Sequence, residues 1–388
     1  MNILFVIKKF PHFGGIAMVT QMLAKRFIED GHHVVVATLM RNPDWSSEEQ
    51  IPDGVIIKEL ETPTWNLSNV SRIRSIIDEY DIDVIINQWA LRPEVAYICN
   101  KARKGKKCKL ICELHGAPDT TKMIIEQKEK LDKSRNVVSK IINYVKLKAI
   151  HTITKWSIRY VYKICDYYVL LSKGFMPLLI DYAHISQSEK LCAIGNAIGI
   201  SSEGFNYSFD KKKKQILYVG RMDPYNKRVN RIVEAWEQLY KDYPDWALEL
   251  VGEGPQLEYL KNYVSSNSIE RVNFHGFQKD PPRNFYEEAS ILMLTSDLEG
   301  FGLVIVEGMQ FGVVPVIYGS YVAVYDIIDN NKDGYITPMP YSREYTINCL
   351  KALMDDDEKR DKMAQAAIEK SSQYTMDAMT TQWYNLFS

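Results

Sequence analysis

The chain has 388 residues, of which 46% are hydrophobic and 25% charged, with a net charge of −1. That is too long for one ordinary core and points to about two domains of roughly 100–200 residues each. Disorder, collagen and coiled coil are excluded by the composition, and no apolar run reaches the roughly 18 residues of a membrane span.

Met1–Ile7 lacks a basic flank and a small-residue cleavage site, so it is expected to be a first strand rather than a signal peptide. The six cysteines form no CxxC pair and no metal-ligand spacing, and a reducing cytoplasm is the expected setting. In the first half, Ile3–Ile7, Val34–Leu39, Val55–Ile57, Val84–Ile86, Leu110–Cys112 and Tyr168–Leu171 read as strands. Ile16–Glu29 and Ser71–Tyr80 read as helices among them. The second half repeats the rhythm with strands at Ile216–Val219, Leu248–Val251, Val272–Phe274, Ile291–Leu294 and Val313–Ile317. Its helices are Val229–Tyr240, Gln256–Val264 and Leu303–Phe311. Continuous apolar strands separated by helices predict α/β domains with parallel sheets covered on both faces. Ala197–Lys214, which ends in four lysines, reads as a linker, and the amphipathic Met376–Phe387 follows the second domain. A ligand cleft between the two domains is the default expectation.

The charge is unevenly placed. Residues 101–165 hold 17 Lys and Arg against 5 Asp and Glu, and Lys133–Cys165 contains no acid at all. Tyr144, Trp156, Tyr160 and Tyr162 are interleaved there with aliphatic residues. Such a helix suits an anionic membrane surface. The same composition fits a solvated helix whose apolar stripe enters the core, or, least favoured, a nucleic-acid contact. Asp81-Ile82-Asp83 has the look of a metal-binding pair but runs straight into an apolar strand, so it is expected to be the polar entry to that strand.

Three segments carry chemistry. Gly14 and Gly15 follow the first strand and precede a helix, where backbone can approach an anion, although an ordinary turn reads the same way. The third glycine of a dinucleotide fingerprint is missing, and no acid ends the second strand. Gly220, Arg221 and Lys227 lie in a strand-to-helix loop whose two cations suit a diphosphate. Ser296–Met309 is the most informative segment. Glu299 lies in its loop, Glu307 lies about a turn into the helix, and Gly300 and Gly302 clear side chains from between them. The amides of Phe301, Gly302 and Leu303 are free to donate, and the carboxylates suit neutral sugar hydroxyls.

Glu299 and Glu307 have the E-x7-E spacing of retaining glycosyltransferases, and Glu-Gly-Phe-Gly-Leu resembles the family 4 version. Val219-Gly220-Arg221 with Lys227 resembles that family's G-R-x5-K loop. Val251-Gly252-Glu253-Gly254-Pro255 resembles its V-G-x-G-P turn, and Val272–Phe277 its V-x-F-x-G strand. Gly195-Asn196 resembles the turn that closes the first domain. The resemblance implies a GT-B fold of two Rossmann-like domains, 1–197 with 374–388 returning to it, and 198–373. It implies that Arg221 and Lys227 hold a donor diphosphate, Glu307 the ribose hydroxyls and Glu299 the transferred sugar. Gly15 would admit the diphosphate, His115 would lie near the sugar, and the backbone at Phe277 and Gln278 would meet the base. The partners implied are a nucleoside diphosphate sugar and a glycan or lipid-linked acceptor, with no metal. An epimerase, a phosphorylase or a non-catalytic sugar-nucleotide binder are the alternatives. Two departures stand out. Lys227 is followed by Arg228 where the family has glycine, and Gly319–Asp326 replaces its G-G-x-x-E turn.

Overall fold

The computed structural model describes residues 1–12, 14–40, 51–186, 188–279 and 282–388. It divides into two compact units, Met1–Asn196 with Met379–Ser388, and Ala197–Ala378.

The first unit alternates strands and helices: β1 (Asn2–Lys9), α1 (Gly15–Glu29), β2 (His33–Met40), β3 (Ile56–Glu59), α2 (Ser68–Glu79) and β4 (Val84–Asn87). It continues with α3 (Pro93–Ala102), β5 (Lys109–Leu114), α4 (Lys122–Asp132), α5 (Val137–Ile164), β6 (Tyr167–Leu170), α6 (Phe175–Ala183) and β7 (Leu191–Ala193). The strands form one sheet in the order β3-β2-β1-β4-β5-β6-β7, and every pairing is parallel.

The second unit carries β8 (Gln215–Val219), α7 (Asn230–Glu237), β9 (Ala247–Val251), α8 (Leu257–Ser266), β10 (Val272–Gly276), α9 (Arg283–Glu288) and β11 (Ile291–Leu294). Then come α10 (Leu303–Gln310), β12 (Val314–Tyr318), α11 (Val324–Ile327), β13 (Tyr335–Thr337), α12 (Arg343–Met354) and α13 (Asp357–Ser371), and the last helix, α14 (Met376–Phe387), belongs to the first unit from Met379 on. Its sheet runs β10-β9-β8-β11-β12-β13, again all parallel. The chain is therefore α/β, with two Rossmann-like parallel sheets, as expected.

The apolar runs explain the layering. Every residue of β4, β11 and β12 is buried, which both-face coverage of a central parallel strand requires. β10, at a sheet edge, alternates between half-buried and exposed. Asp83 accepts the Asn2 amide at 2.8 Å just before β4, so the Asp81–Asp83 stretch is the polar entry to that strand.

Two expectations need adjusting. Ala197–Lys214 is not a free linker, because its lysines are tied to the second unit. Lys213 pairs with Glu288 at 2.6 Å, Lys214 with Asp245 at 2.6 Å, and Lys212 donates to the Tyr286 carbonyl at 2.8 Å. The segment that packs in the first unit begins at Met379, not at 374. Tyr374 is held in the second unit by its hydroxyl on the Asp326 carbonyl at 3.1 Å and its ring against Phe301. From Met379 on, α14 buries Trp383 and Phe387, the latter against Phe27 of α1.

Candidate active site

In the second sheet the strand order reverses between β8 and β11. Loops that leave neighbouring parallel strands at such a reversal run apart and open a crevice at the strands' C-terminal ends. The two loops here are 220–229 and 295–302, and they carry most of the candidate residues.

The first loop is organised by Asp223. Its carboxylate accepts the amides of Tyr225 and Asn226, each at 2.9 Å. Its carbonyl accepts those of Lys227 and Arg228 at 3.1 and 3.0 Å. The neighbouring turn after β9 presses hard on this loop. A Cβ on Gly252 would sit 2.0 Å from the Gly220 carbonyl oxygen, and one on Gly254 would sit 2.4 Å from that of Met222. No side chain fits at either position, which is the physical content of the V-G-x-G-P turn.

The two loops are joined directly. The Asp297 amide donates to the Asn226 carbonyl at 2.7 Å. The Asp297 carboxylate takes Arg228 at 2.7 Å on one oxygen and Arg231 on the other. The Lys227 ammonium pairs with the Glu299 carboxylate, and both side chains are largely withdrawn from solvent, 25% and 12% exposed. Arg221 is exposed at the head of its loop, and its guanidinium has no hydrogen bond or ion pair among the described residues.

Arg228 explains a departure seen in the sequence. Its φ is +52°, the left-handed conformation that favours glycine. A non-glycine residue there costs roughly 1–2 kcal/mol, and the contact with Asp297 offsets part of that cost.

Gly302 caps α10 with φ +93°, and the first turn of α10 contains no acid. Its free amides and positive helix end therefore favour an anion. Glu307 lies one turn in, half-buried, and accepts the Tyr286 hydroxyl at 3.0 Å. Desolvation raises its pKa to about 7, the Tyr286 bond opposing the shift. Tyr321, from the segment that replaces G-G-x-x-E, is buried with its hydroxyl unpartnered. That oxygen lies 2.8 Å from where a Cβ on Gly302 would be.

Gly220, Lys227, Glu299, Gly300, Gly302, Leu303 and Glu307 are thus gathered on the two loops and α10. The Phe301 ring turns away, packing on Tyr374 at 5.5 Å, so only its backbone belongs to the group. Phe277 is exposed beyond the edge strand β10, and the Gln278 side-chain Nε2 donates to the His275 carbonyl at 3.0 Å.

The first unit carries a second group at the ends of β1, β4 and β5. Gly14 caps α1 and Gly15 opens it, and a Cβ on Gly15 would meet no protein atom within 4 Å. His115 follows β5, with its Nε2 2.7 Å from the Gln88 side-chain oxygen and 3.4 Å from Glu113 Oε2. Burial dominates both titrations. It raises Glu113 to about 8 and lowers His115 to about 3. At neutral pH this is a pair of uncharged groups rather than an ion pair.

Asp223, Asp297, Tyr286, Tyr321, Gln88 and Glu113 were not picked out in the sequence. The D-P-Y-N run was a legible turn signal for Asp223. For the others only the fold supplies the neighbour.

The profile for Glycosyltransferase Family 4 matches residues 13–201, and that for Glycosyl transferases group 1 matches residues 201–370. Together the two profiles span most of the chain, which belongs to this group of glycosyltransferase families and covers about half or less of the length of the first curated relatives it matches. It is 31% identical over 204 residues to an exopolysaccharide phosphotransferase of Streptomyces coelicolor, a match covering 51% of this chain but only 21% of that protein. It is 23% identical over 326 residues to the Campylobacter jejuni GalNAc-alpha-(1->4)-GalNAc-alpha-(1->3)-diNAcBac-PP-undecaprenol alpha-1,4-N-acetyl-D-galactosaminyltransferase, covering 84% and 86% of the two chains. Among solved structures, Anabaena HepE in complex with UDP and glucose superposes with a TM-score of 0.74 at 19% identity, over 100% of this chain and 99% of that one. The two-sheet architecture is thus that of GT-B glycosyltransferases.

Two predictions follow from this geometry. Asp297→Ala releases two cations at once and should lower stability by about 1–2 kcal/mol, whereas Arg228→Gly trades the ion pair for relaxed backbone and should stay within about 1 kcal/mol of the parent, read from urea melts. Because the pKa of Glu307 is raised in the fold from the ordinary 4.5, its ionisation opposes folding. That penalty is absent below pH 4.5 and complete above about 7. Glu307→Gln should therefore gain on the order of 1–2 kcal/mol at about pH 8 and nothing at about pH 4, by thermal melts at the two pH values.

Proposed function

We propose that the protein transfers a sugar from a nucleoside diphosphate sugar, UDP-linked before GDP-linked, with retention at the anomeric carbon. The acceptor is a glycan or lipid-linked saccharide of cell-surface polysaccharide or lipopolysaccharide synthesis. Transfer takes place at the cytoplasmic face of a membrane contacted by the basic segment 101–165. The observation that carries this reading is the Lys227–Glu299 pair beside the N-terminus of α10. Each partner is held by the group the donor would replace: a diphosphate takes the ammonium, and sugar hydroxyls take the carboxylate. Support for the donor comes from HepE, whose structure holds UDP and glucose. Support for the acceptor comes from the undecaprenol-linked saccharide in the name of the Campylobacter relative.

In the proposed reaction the bond from the anomeric carbon to the diphosphate oxygen breaks. The bond to the acceptor oxygen forms on the same face, and the acceptor proton leaves on the diphosphate. Charge grows on the diphosphate as its bond breaks. In this reading Arg221, Lys227 and the amides at Gly302 and Leu303 stabilise that charge, and no divalent metal is invoked. Glu307 takes the ribose hydroxyls. Gly15 leaves room for the diphosphate, and neutral His115 offers a hydrogen bond to the sugar rather than a charge.

A thermal-shift panel of UDP-, GDP- and ADP-sugars tests the donor. Binding at ~100-fold above Kd stabilises by about 2.7 kcal/mol, and a panel with no UDP-sugar response would overturn the base assignment. Lys227→Ala should lower kcat by about 100-fold or more. A variant with full turnover would remove Lys227 from the chemistry.

A further inference from the structure

Helix α5 is the longest of the described helices, 28 residues, or about 42 Å at 1.5 Å per residue. Only Ser157, Ile158 and Val161, near its C-terminal end, are buried. The expectation that its apolar stripe enters the core is therefore met only over the last turns. Further toward the N-terminus the helix carries two separate stripes. One faces the protein: Asn143, Leu147, Ile150 and Thr154 are half-buried at four- and three-residue steps. Asn143 is fixed there by Gln127 of α4, which donates to its side-chain oxygen at 3.0 Å.

The other stripe has no protein over it among the described residues. Val138, Ile142, Val145, Ala149, Ile153 and Trp156 recur at the same spacing, roughly 140° around the helix from the first stripe at 100° per residue. The five larger ones are 48–67% exposed. An apolar row this continuous on a surface marks a docking face. Its flanks say what docks. Lys146 lies on one side of the row and Lys148 on the other, and no acid occurs from Lys133 to Cys165. In the neighbouring α4, Glu126 pairs with Lys122 at 3.7 Å and Glu129 with Lys133 at 3.5 Å, and the remaining acid, Asp132, is the helix's exposed last residue. An apolar stripe between cations is the pattern of a helix lying in the headgroup region of an anionic bilayer. No described helix is long and apolar enough to cross a membrane, so the geometry is that of a helix on a bilayer rather than through it.

We propose that α5 lies flat on an anionic phospholipid surface, with the Val138–Trp156 stripe seated among the acyl boundaries and Lys146 and Lys148 on lipid phosphates. This deepens the membrane-facing part of the proposed function and rests on that part alone. The transfer chemistry in the second unit is independent of it.

The test is co-sedimentation of the full chain with vesicles of phosphatidylcholine alone and of phosphatidylcholine with phosphatidylglycerol. The protein should bind the anionic vesicles, and added salt should weaken that binding. Ile142→Glu with Val145→Glu should weaken it at least tenfold. Lys146 and Lys148 changed together to Gln should weaken it on the order of 30-fold. All these positions are solvent-facing, so the UDP-sugar thermal shift of each variant should match the parent, which separates lost docking from lost folding or lost donor binding. Equal binding to neutral and anionic vesicles overturns the proposal. Anionic binding that neither set of changes weakens overturns the assignment to α5 and leaves the membrane reading standing. A self-association broken by Ile142→Glu with Val145→Glu, without vesicle binding, identifies a second copy as the occupant and overturns it as well.

Discussion

The second unit is built around one contact, the pairing of Lys227 with Glu299 across the point where the strand order reverses. The two residues are 72 positions apart in the chain and come from loops that a doubly wound sheet would otherwise splay apart. Three further links hold the loops in register: Asp297 to Asn226, to Arg228 and to Arg231. The pair is poised because it is only partly buried. A fully buried pair would cost too much to separate, and a fully exposed one would be screened into irrelevance. At intermediate burial, a ligand that offers a phosphate to one partner and hydroxyls to the other can exchange with the pair at small net cost.

The carboxylates divide by the environment the fold gives them. Glu299 meets a cation. Glu307 meets one hydroxyl and a poorly solvated pocket, so it titrates near neutrality. Glu113 is buried with an oxygen that has no hydrogen-bond partner and stays protonated at neutral pH. His115 beside it is likewise uncharged, since desolvation of both groups outweighs their attraction at 3.4 Å. The polar groups buried at the ends of β4 and β5 in the first unit are therefore uncharged at neutral pH, whereas the loops of the second unit bring charged groups together.

Most of this architecture was legible in the sequence because it depends on periodicity. Uninterrupted apolar runs such as Ile291–Leu294 have no other home than a strand covered on both faces, and the helix at Met376–Phe387 has the bounds its amphipathic pattern predicts. The E-x7-E segment was legible because local spacing fixes where both carboxylates stand on a loop and the helix after it. What was not legible depends on neighbours far away in the chain. Nothing near Asp297 announces two arginines, and nothing near Glu113 announces that its second oxygen goes unpaired. Helix α5 is the clearest case. Its sequence shows apolar residues and lysines, but whether an apolar residue faces the core or the solvent is decided by α3, α4 and α6, which cover only one side.

The segment Gly319–Asp326, where the chain departs from its family, is reconciled with the site by packing. The Ser320 hydroxyl donates to the Ser296 carbonyl and so ties this segment to the loop that carries Glu299. Tyr321 then places its hydroxyl against Gly302. Glycine at 302 is demanded three times over: by φ +93°, by the Tyr321 hydroxyl, and by Ile305 Cδ1 at 2.9 Å from any added Cβ. Relaxing Tyr321 alone would not release it. The helix cap and the substituted segment are therefore one packed unit. The buried Tyr321 hydroxyl, within electrostatic reach of Glu299, keeps its donor and acceptor capacity unspent among the described residues, a cost that the packing of Ser320 on Ser296 and of Tyr321 on Gly302 has to offset.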